Sequence, residues 1–513
     1  MDKSAKTAHD APVQDNQTKF KQPRAFYVIC FTELWERFGY YGMQALFILY
    51  VSKVFLFSDD KSYSLFGAFA ALVYATPLIG GYVGDQLIGN KRALVLGAAL
   101  LVIGYGLLAV PMGSGADSTH VLFYLGLGFI VTGNGFFKTS PSSLLGKVYG
   151  PNSPQADSGF TLFYMSVNIG SFVAISLCGY VAHLFGWHVA FGMSSFGMFM
   201  SLVAFLYNRH VLDDVGSEPD FAPLRRKLIP QVGLIVAAMI IGAYFLFTYL
   251  MFTHWVLVMA TLGALLFYAA LIQRSNSEER RKLIACLILM IFAISFCCLY
   301  FQAPQSMNLF IDRNVNHKLL GFYIPTPSFQ SFNPLWILAL APVLSHIYNR
   351  RQRQGKDLTI PTKFAVGIMI MGSGFLLLFV GTHFASTDSQ ISAWWVVLCF
   401  FLYSLGELLV SAIGLSMISQ LAPPRYLAIM MGIWFLFIAI SGLLSSAMAG
   451  LTSLPSGNID PAMSLHIYGS VFAKFGLISL GVGLVALALV PTLKRLMGLT
   501  PRSAPVLEIT ATE

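Results

Sequence analysis

Charge is what this sequence has least of. Only 11% of its 513 residues are Asp, Glu, Lys or Arg, against about 25% in ordinary soluble domains, while 56% are hydrophobic. A soluble globular domain is excluded on that ground. Cysteine is sparse and unpatterned. Cys30, Cys178, Cys286, Cys297, Cys298 and Cys399 all lie in apolar runs with no CxxC or Cys/His spacing, so neither a disulfide framework nor a metal site is argued. The first 24 residues lack an apolar core, and no cleavable signal is expected. No Ser/His/Asp set or nucleotide loop points to an enzyme. The ten-residue alternation of a membrane β-barrel is also missing. A net charge of +9 would suggest nucleic acid in a soluble protein; here basic residues instead report topology, and no nucleic-acid partner is expected.

What remains is long apolar runs, in a chain where about 20 such residues cross a hydrocarbon core of roughly 30 Å. Fourteen spans are read at 25–52, 63–84, 92–112, 121–147, 158–184, 187–208, 227–250, 254–272, 283–303, 331–349, 362–384, 393–421, 427–450 and 466–491. With the N-terminus inside, of the 32 Lys and Arg only Lys53, Lys61, Arg313 and Lys318 fall on outward segments, and Arg37, Lys138 and Lys474 fall within spans. That asymmetry predicts both termini in the cytoplasm. Polar linkers at 212–227 and 273–282 group the spans as six, two and six. The expected organisation is a cytoplasmic tail (1–24), a six-helix bundle (25–211), a linker carrying two extra spans (212–282), a second six-helix bundle (283–492) and a tail (493–513). The two middle spans carry no charge beyond Lys227 and read as lipid-facing scaffold. Two six-helix bundles around a central cavity form the frame of many secondary transporters.

Ionisable groups inside spans are costly and normally functional. The stretch "ELWERFGYYG" at 33–42 puts Glu33, Glu36 and Arg37 on one helix face by its three- and four-residue spacings, with Tyr40 and Tyr41 one turn further. A carboxylate whose cationic partner can leave changes its protonation with conformation or ligand. Lys138, in "GNGFFKTSPSSLLG", is a candidate for that movable partner. An inert ion pair that fixes helix packing is the alternative. Asn168 in "FYMSVNIGSF" and Glu407 in "GELLVSAIGLSMISQLAPP" place further polar groups in apolar spans. Arg37 and Lys138 then form a cationic pole in the first half and Glu407 an anionic pole in the second, an arrangement suited to a small zwitterion. For Asn168 and Glu407, a purely inter-helix bond is the bland reading. "GGYVGDQLIGNKR" at 80–92 offers small residues for close helix approach, and Gly84 and Asp85 suit a contact at the cytoplasmic edge.

These motifs resemble those of the proton-dependent oligopeptide transporter (POT, or peptide transporter) family. "ELWERFGYYG" is similar to its ExxERFxYYG motif, and "FYMSVNIG" to FYxxINxG with Val167 in place of Ile. The resemblance runs from residue 20 to about 495, and the six-two-six layout looks like the bacterial branch. It implies an all-α membrane protein of major facilitator fold that imports di- and tripeptides, and peptide-like drugs, with protons as coupling ion and no other cofactor. By the same resemblance, Glu33, Glu36, Arg37 and Lys138 serve proton coupling. Arg37 and Lys138 meet the peptide carboxylate; Asn168, Asn333 and Glu407 meet its amino end. Tyr40, Tyr41, Tyr74, Tyr164, Gln302, Ser411 and Trp434 complete the binding residues, and Pro334 opens its helix beside Asn333. The expected setting is the inner membrane, with a single chain as functional unit. A relative moving nitrate or a peptide-like compound is the alternative, and Glu407 argues against simple anions.

Two departures from the family pattern bear on gating. Many members carry Arg where this chain has Gln44, and an acid where it has Phe301, a pair that often closes the outer gate. An outer gate closed mainly by packing and neutral hydrogen bonds is therefore expected. Animal members use a His in the second helix; this chain has none between His9 and His120, which leaves proton work to carboxylates.

Overall fold

The computed structural model describes residues 22–113, 120–150, 153, 155–354, 358–455 and 460–498. Its helices run α1 Arg24–Lys53, α2 Asp59–Ala75, α3 Pro77–Val83, α4 Asn90–Leu108, α5 Val121–Phe137, α6 Ser140–Tyr149, α7 Ala156–Phe185, α8 Trp187–Tyr207, α9 Glu218–Phe221, α10 Leu228–Thr248, α11 Leu250–Arg274, α12 Ser277–Tyr300 and α13 Ser306–Asn314. A two-stranded hairpin follows, β1 Lys318–Leu319 with β2 Phe322–Tyr323. Then come α14 Phe332–Arg353, α15 Ile360–Thr382, α16 Ala393–Leu421, α17 Leu427–Gly450 and α18 Pro461–Leu496.

Among the described residues, 12 helical segments are long and apolar enough to cross a membrane. Two further helices have the length without the purity. The 30-residue α1 holds Glu33, Glu36 and Arg37, and the 22-residue α14 holds Asn333 and two prolines. At 1.5 Å per residue each is at least as long as the hydrocarbon core. Together they give the fourteen spans of the sequence reading, and an even number brings Arg24 of α1 and Leu496 of α18 to one face.

Two spans read as continuous are broken beside a proline, and the span read at 283–303 ends in a turn beside a third, followed by a short helix that the sequence reading did not give. Pro77 opens α3 after a turn at Thr76, Pro141 opens α6 after Lys138 and Thr139, and Pro304 sits in the turn between α12 and α13. Proline lacks the N–H that would continue the ladder but fits a first helical turn. Pro334 shows the same rule and corrects an expectation: it lies in the first turn of α14, after a short 3₁₀ segment at Thr326–Ser331, and does not open a helix from within.

Within the first half, α1 packs on α7 and α8, and α4 on α5 and α8; within the second, α15 packs on α16 and α18, and α12 on α15 to α18. The halves meet through α2 with α17, α7 with α14 and the 3₁₀ segment, and α1 with α13. Of the inserted pair, α10 lies on α5 and α11 on α17 and α2. Only 17% of the most apolar stretch of each is buried, as expected of helices that face lipid.

A group of hydrogen bonds joins the two halves toward the end away from Arg24 and Leu496. Asn308 Nδ2 donates to the Ala45 carbonyl (3.0 Å), Tyr63 and Thr452 share a bond of 3.2 Å, Ser328 Oγ donates to Ser176 O, and the Tyr180 hydroxyl to Tyr323 O. These fit a seam of neutral bonds, and Phe301 packs edge-on against Tyr74 as an uncharged contact. The expectation of a largely uncharged seam is nevertheless wrong. Arg313 clasps Asp59 with both terminal nitrogens (2.7 and 2.8 Å), and Lys53 Nζ lies 2.6 Å from Asp312 Oδ1. The charges missing at 44 and 301 are supplied at helix ends, where partial exposure eases desolvation.

Candidate functional site

The α1 cluster forms as its spacing requires. Arg37 Nε lies 2.9 Å from Glu33 Oε1 and 2.6 Å from Glu36 Oε2. All three residues are buried; Glu36 is wholly so. The contact is one of charge more than of hydrogen bonding. Nε points its proton at neither oxygen, and Glu33 Oε2 and Glu36 Oε2 also lack an aligned hydrogen bond among the described residues. A cation shared by two carboxylates without aligned bonds is well placed to exchange partners. Asn134 of α5 donates to Glu36 Oε1 at 3.4 Å.

Lys138 does not sit within a helix. It occupies the turn between α5 and α6, with Nζ 3.8 Å from the centre of the Tyr74 ring. No ion pair of Lys138 is formed among the described residues, yet Arg37, Glu36 and Glu33 all act on its charge. Gly80 of α3 packs on the last turn of α5 just before it: a Cβ there would overlap the Gly135 backbone, so the helices touch main chain to main chain. Lys138 is thus a cation near two carboxylates, held on an aromatic face worth about 1–2 kcal/mol.

The second half contributes the opposite pole. Asn333 Nδ2 donates to Glu407 Oε2 (2.8 Å) and to Ser404 Oγ (3.0 Å), and Ser404 Oγ donates to the Asn333 carbonyl (3.1 Å). Glu407 is buried. The α12–α13 break stands beside it. The Tyr403 hydroxyl donates to Tyr300 O (2.5 Å), and Gln305 Nε2 to Phe301 O (3.0 Å), which satisfies carbonyls freed by the turn.

A cavity between the halves is lined by Tyr41, Gln44, Asn168 and Ser171 on one side and by Tyr300, Gln330, Asn333, Tyr403 and Glu407 on the other. Tyr41 lies in the field of both Arg37 and Glu407, so the two poles address one space. A roomier cavity of about 440 Å³ between α12, α17 and α18 has an almost wholly apolar wall, and its Ser295 and Ser479 hydroxyls already donate to the Ile291 and Ile368 carbonyls.

The structure brings Tyr41, Asn168, Asn333 and Glu407 into the central cavity, with Arg37, Glu33 and Glu36 behind Tyr41 and Lys138 on Tyr74. Asn168 bonds the Tyr164 carbonyl of its own helix (2.9 Å) and, among the described residues, no other helix; Tyr164 itself is partly exposed. Others lie elsewhere. Tyr40 is buried between Phe69 and the Arg37 guanidinium, which lies 5.8 Å from its ring centre, and so adjoins the cluster without lining the cavity. Gln302 is fully buried, its Nε2 spent on Ser445 and Cys298 and its Oε1 on Ser306, where it ties α12 to α17. Trp434 lies against Gly414, where a Cβ would overlap its ring. The side chain of Ser411 lies outside the described residues. Asn134, Ser404, Tyr300 and Tyr403 went unpredicted; Asn134 was readable as one helical turn before Lys138.

At the termini-side face, Gly84 and Asp85 open a wide helical turn, Gly84–Ile88. In its correct amide orientation Asn90 donates to Asp85 Oδ1 (2.9 Å) and accepts from Lys147 Nζ (3.1 Å). The stretch at 212–227 is no loose linker. Asp220 accepts from the Asn90 and Lys91 N–H groups (2.9 and 3.1 Å), capping α4, and Arg92 donates to the Pro219 and Ala222 carbonyls (2.9 and 2.8 Å). Gly89, at φ +94°, leaves room that a Cβ would take from Asp220.

Comparison with known proteins adds three findings. A family model described as POT family matches residues 91–465. The chain is 41% identical over 477 residues to dipeptide and tripeptide permease B of Salmonella typhimurium, covering 93% of this chain and 96% of the relative. It is 40% identical over 492 residues to dipeptide and tripeptide permease A of Citrobacter koseri, covering 96% of each. Among solved structures, one described as a bacterial homologue of the human drug peptide transporters PepT1 and PepT2 superposes with a TM-score of 0.82 at 33% identity, over 92% of this chain and 99% of that one.

Proposed function

Since this chain belongs to the POT family, we propose that it imports di- and tripeptides together with protons, by alternating exposure of the cavity between its two halves. The observation that carries the reading is the pair of opposed poles. On one side stand Arg37 with Glu33 and Glu36, and Lys138 on Tyr74; on the other stands Glu407 held by Asn333. A free peptide is a zwitterion whose length matches only a short gap between such poles. Its carboxylate would meet Arg37 and Lys138 and its ammonium Glu407.

The proton step follows from the shared cation. While Arg37 sits between both glutamates, its charge offsets part of the cost of ionising them. A peptide carboxylate that draws Arg37 or Lys138 toward itself leaves a buried carboxylate with less compensation, and proton uptake neutralises it. Proton and peptide then load as one unit, which is symport. With both termini in the cytoplasm of an inner membrane, as the basic-residue pattern supports, the bonded seam closes the outer end and the cavity opens inward. The pathway lies within one chain, so a monomer suffices. Gly84, Asp85 and the docked segment around Asp220 would set the inner edge.

The substrate class is tested by competition for uptake of a labelled dipeptide. Unlabelled di- and tripeptides should compete, while single amino acids, tetrapeptides and nitrate should not. Competition by nitrate or by single amino acids instead would sink the reading.

A further inference from the structure

The seam away from the termini contains a group of titratable side chains that the transport reading does not use. Lys53 of α1 and Thr326 both bond Asp312 Oδ1 (2.6 and 3.0 Å), and His317 Nε2 lies 3.0 Å from Thr326 Oγ1. The hydroxyl has one hydrogen, and it goes to the carboxylate, which can only accept. In the tautomer that matches this direction, His317 Nε2 carries a proton and donates it to Thr326. The chain reads His317 to Thr326 to Asp312, and ends on Lys53 from the other half. A second link lies alongside. The Tyr323 ring is flanked by His317 (centroids 5.5 Å apart) of its own half and His183 (5.0 Å) of α7, while Tyr180 donates to the Tyr323 carbonyl. Lys53, His183, Asp312, Tyr323 and Thr326 line one small cavity in the seam.

We propose that His317 is a second proton site, and that its protonation makes it compete with Lys53 for Asp312, loosening the seam at acid pH. The proposal rests on the transport reading for its purpose: an acidic exterior would open the outer side, where proton and peptide load. Asp312 is one carboxylate. With His317 neutral, Lys53 is its only cationic partner among the described residues, and that pairing joins the two halves. With His317 charged, a cation from its own half strengthens the Thr326 relay, and the tie across the seam becomes dispensable.

The groups facing the ring set where this happens. Burial, Lys53 and His183 push the His317 titration down from the ordinary histidine value; Asp312 and the Val315 carbonyl push it up, and burial is the largest influence. Phe329 closes another side without charge, and Arg313 is committed to Asp59. Protonation therefore falls below about pH 6.5, and the site stays neutral at pH 7 and above.

The test is a distance measurement by electron paramagnetic resonance on reconstituted protein. Spin labels go on Leu184→Cys and Phe322→Cys, exposed positions on opposite sides of the seam. Acidification from pH 7.5 to 5 should raise the long-distance population at least tenfold, with a midpoint below pH 6.5. His317→Gln keeps a donor for Thr326 and should abolish that rise. Should His317→Gln fail to fold, Asp312→Asn decides: lacking the anion both cations seek, it should be open at both pH values. An acid response that survives in either variant, or its absence in the wild type, overturns the proposal. Dipeptide uptake by the wild type under a proton gradient is measured in parallel. Its failure refutes the transport reading, whereas uptake with an acid response indifferent to His317 refutes this inference alone.

Discussion

Replacing Asp59 with Asn keeps the shape of the seam and removes one charge. In the structure both Asp59 oxygens are spent on Arg313, and Oδ2 also accepts from the Leu454 N–H (3.2 Å). The Asp59 side chain is 7% exposed and that of Arg313 18%, so neither is freely solvated while the seam is closed. An amide offers one acceptor where the carboxylate offered two, and its NH₂ faces a cation. Hydrogen bonds to charged groups contribute about 1.5–3 kcal/mol. Losing one, with a half-satisfied guanidinium left behind, costs the closed state about 2–3 kcal/mol. The open state has water on both groups and loses little. The closed-to-open ratio should therefore fall about 30- to 150-fold. The labels at Leu184→Cys and Phe322→Cys read that ratio directly at pH 7.5, where His317 is neutral. Exchanging the charges, Asp59→Arg with Arg313→Asp, should recover part of the closed population. An unchanged distance distribution in Asp59→Asn would mean that apolar packing of α2 on α17 closes the seam and the ion pair is incidental.

Four further outcomes follow from the structure. N-acetylation of a dipeptide removes the ammonium and should weaken binding to the wild type at least tenfold, since losing the partner of a buried charge costs about 2–5 kcal/mol; Glu407→Gln should shrink that difference, and an equal penalty in both proteins would place the anionic pole elsewhere. Lys138→Ala should abolish proton-driven accumulation while retaining peptide exchange, whereas Arg37→Lys should weaken peptide binding, because a point charge cannot replace a planar fork; full accumulation by Lys138→Ala would remove Lys138 from coupling. Asp220→Ala takes away the α4 cap and the anchor of the 212–227 segment, for about 1–2 kcal/mol of stability, and should lower the melting temperature in detergent without changing peptide affinity.

Much of this architecture was legible because hydropathy is a local signal. The fourteen spans and the shared face of Glu33, Glu36 and Arg37 follow from runs and spacings within a helix. The breaks at Thr76, Lys138 and Gln302–Gln305 were less legible. A membrane helix tolerates proline when neighbours satisfy the freed carbonyls, as Tyr403 does at Tyr300, and those neighbours are distant in sequence. The Asp59–Arg313 pair was illegible for the same reason. Its members are 254 residues apart, and each reads as an ordinary charge at a span end. The roles of Asn333 and Trp434 came from family resemblance alone. Asn333 does meet Glu407, while Trp434 packs on Gly414, a contact that no spacing announces. The 212–227 stretch looked like a linker because its composition is polar; its docking depends on Asp220 meeting two backbone N–H groups of another helix.

The central claim is that peptide and proton enter this cavity as one unit, and proteoliposome uptake tests it most directly. Purified protein is sealed into vesicles at fixed membrane potential, and a labelled dipeptide is supplied outside. An inward proton gradient should drive its accumulation above the external concentration, and an inward sodium gradient at constant pH should not. Accumulation that needs sodium, or that merely equilibrates whatever the pH gradient, would contradict the account.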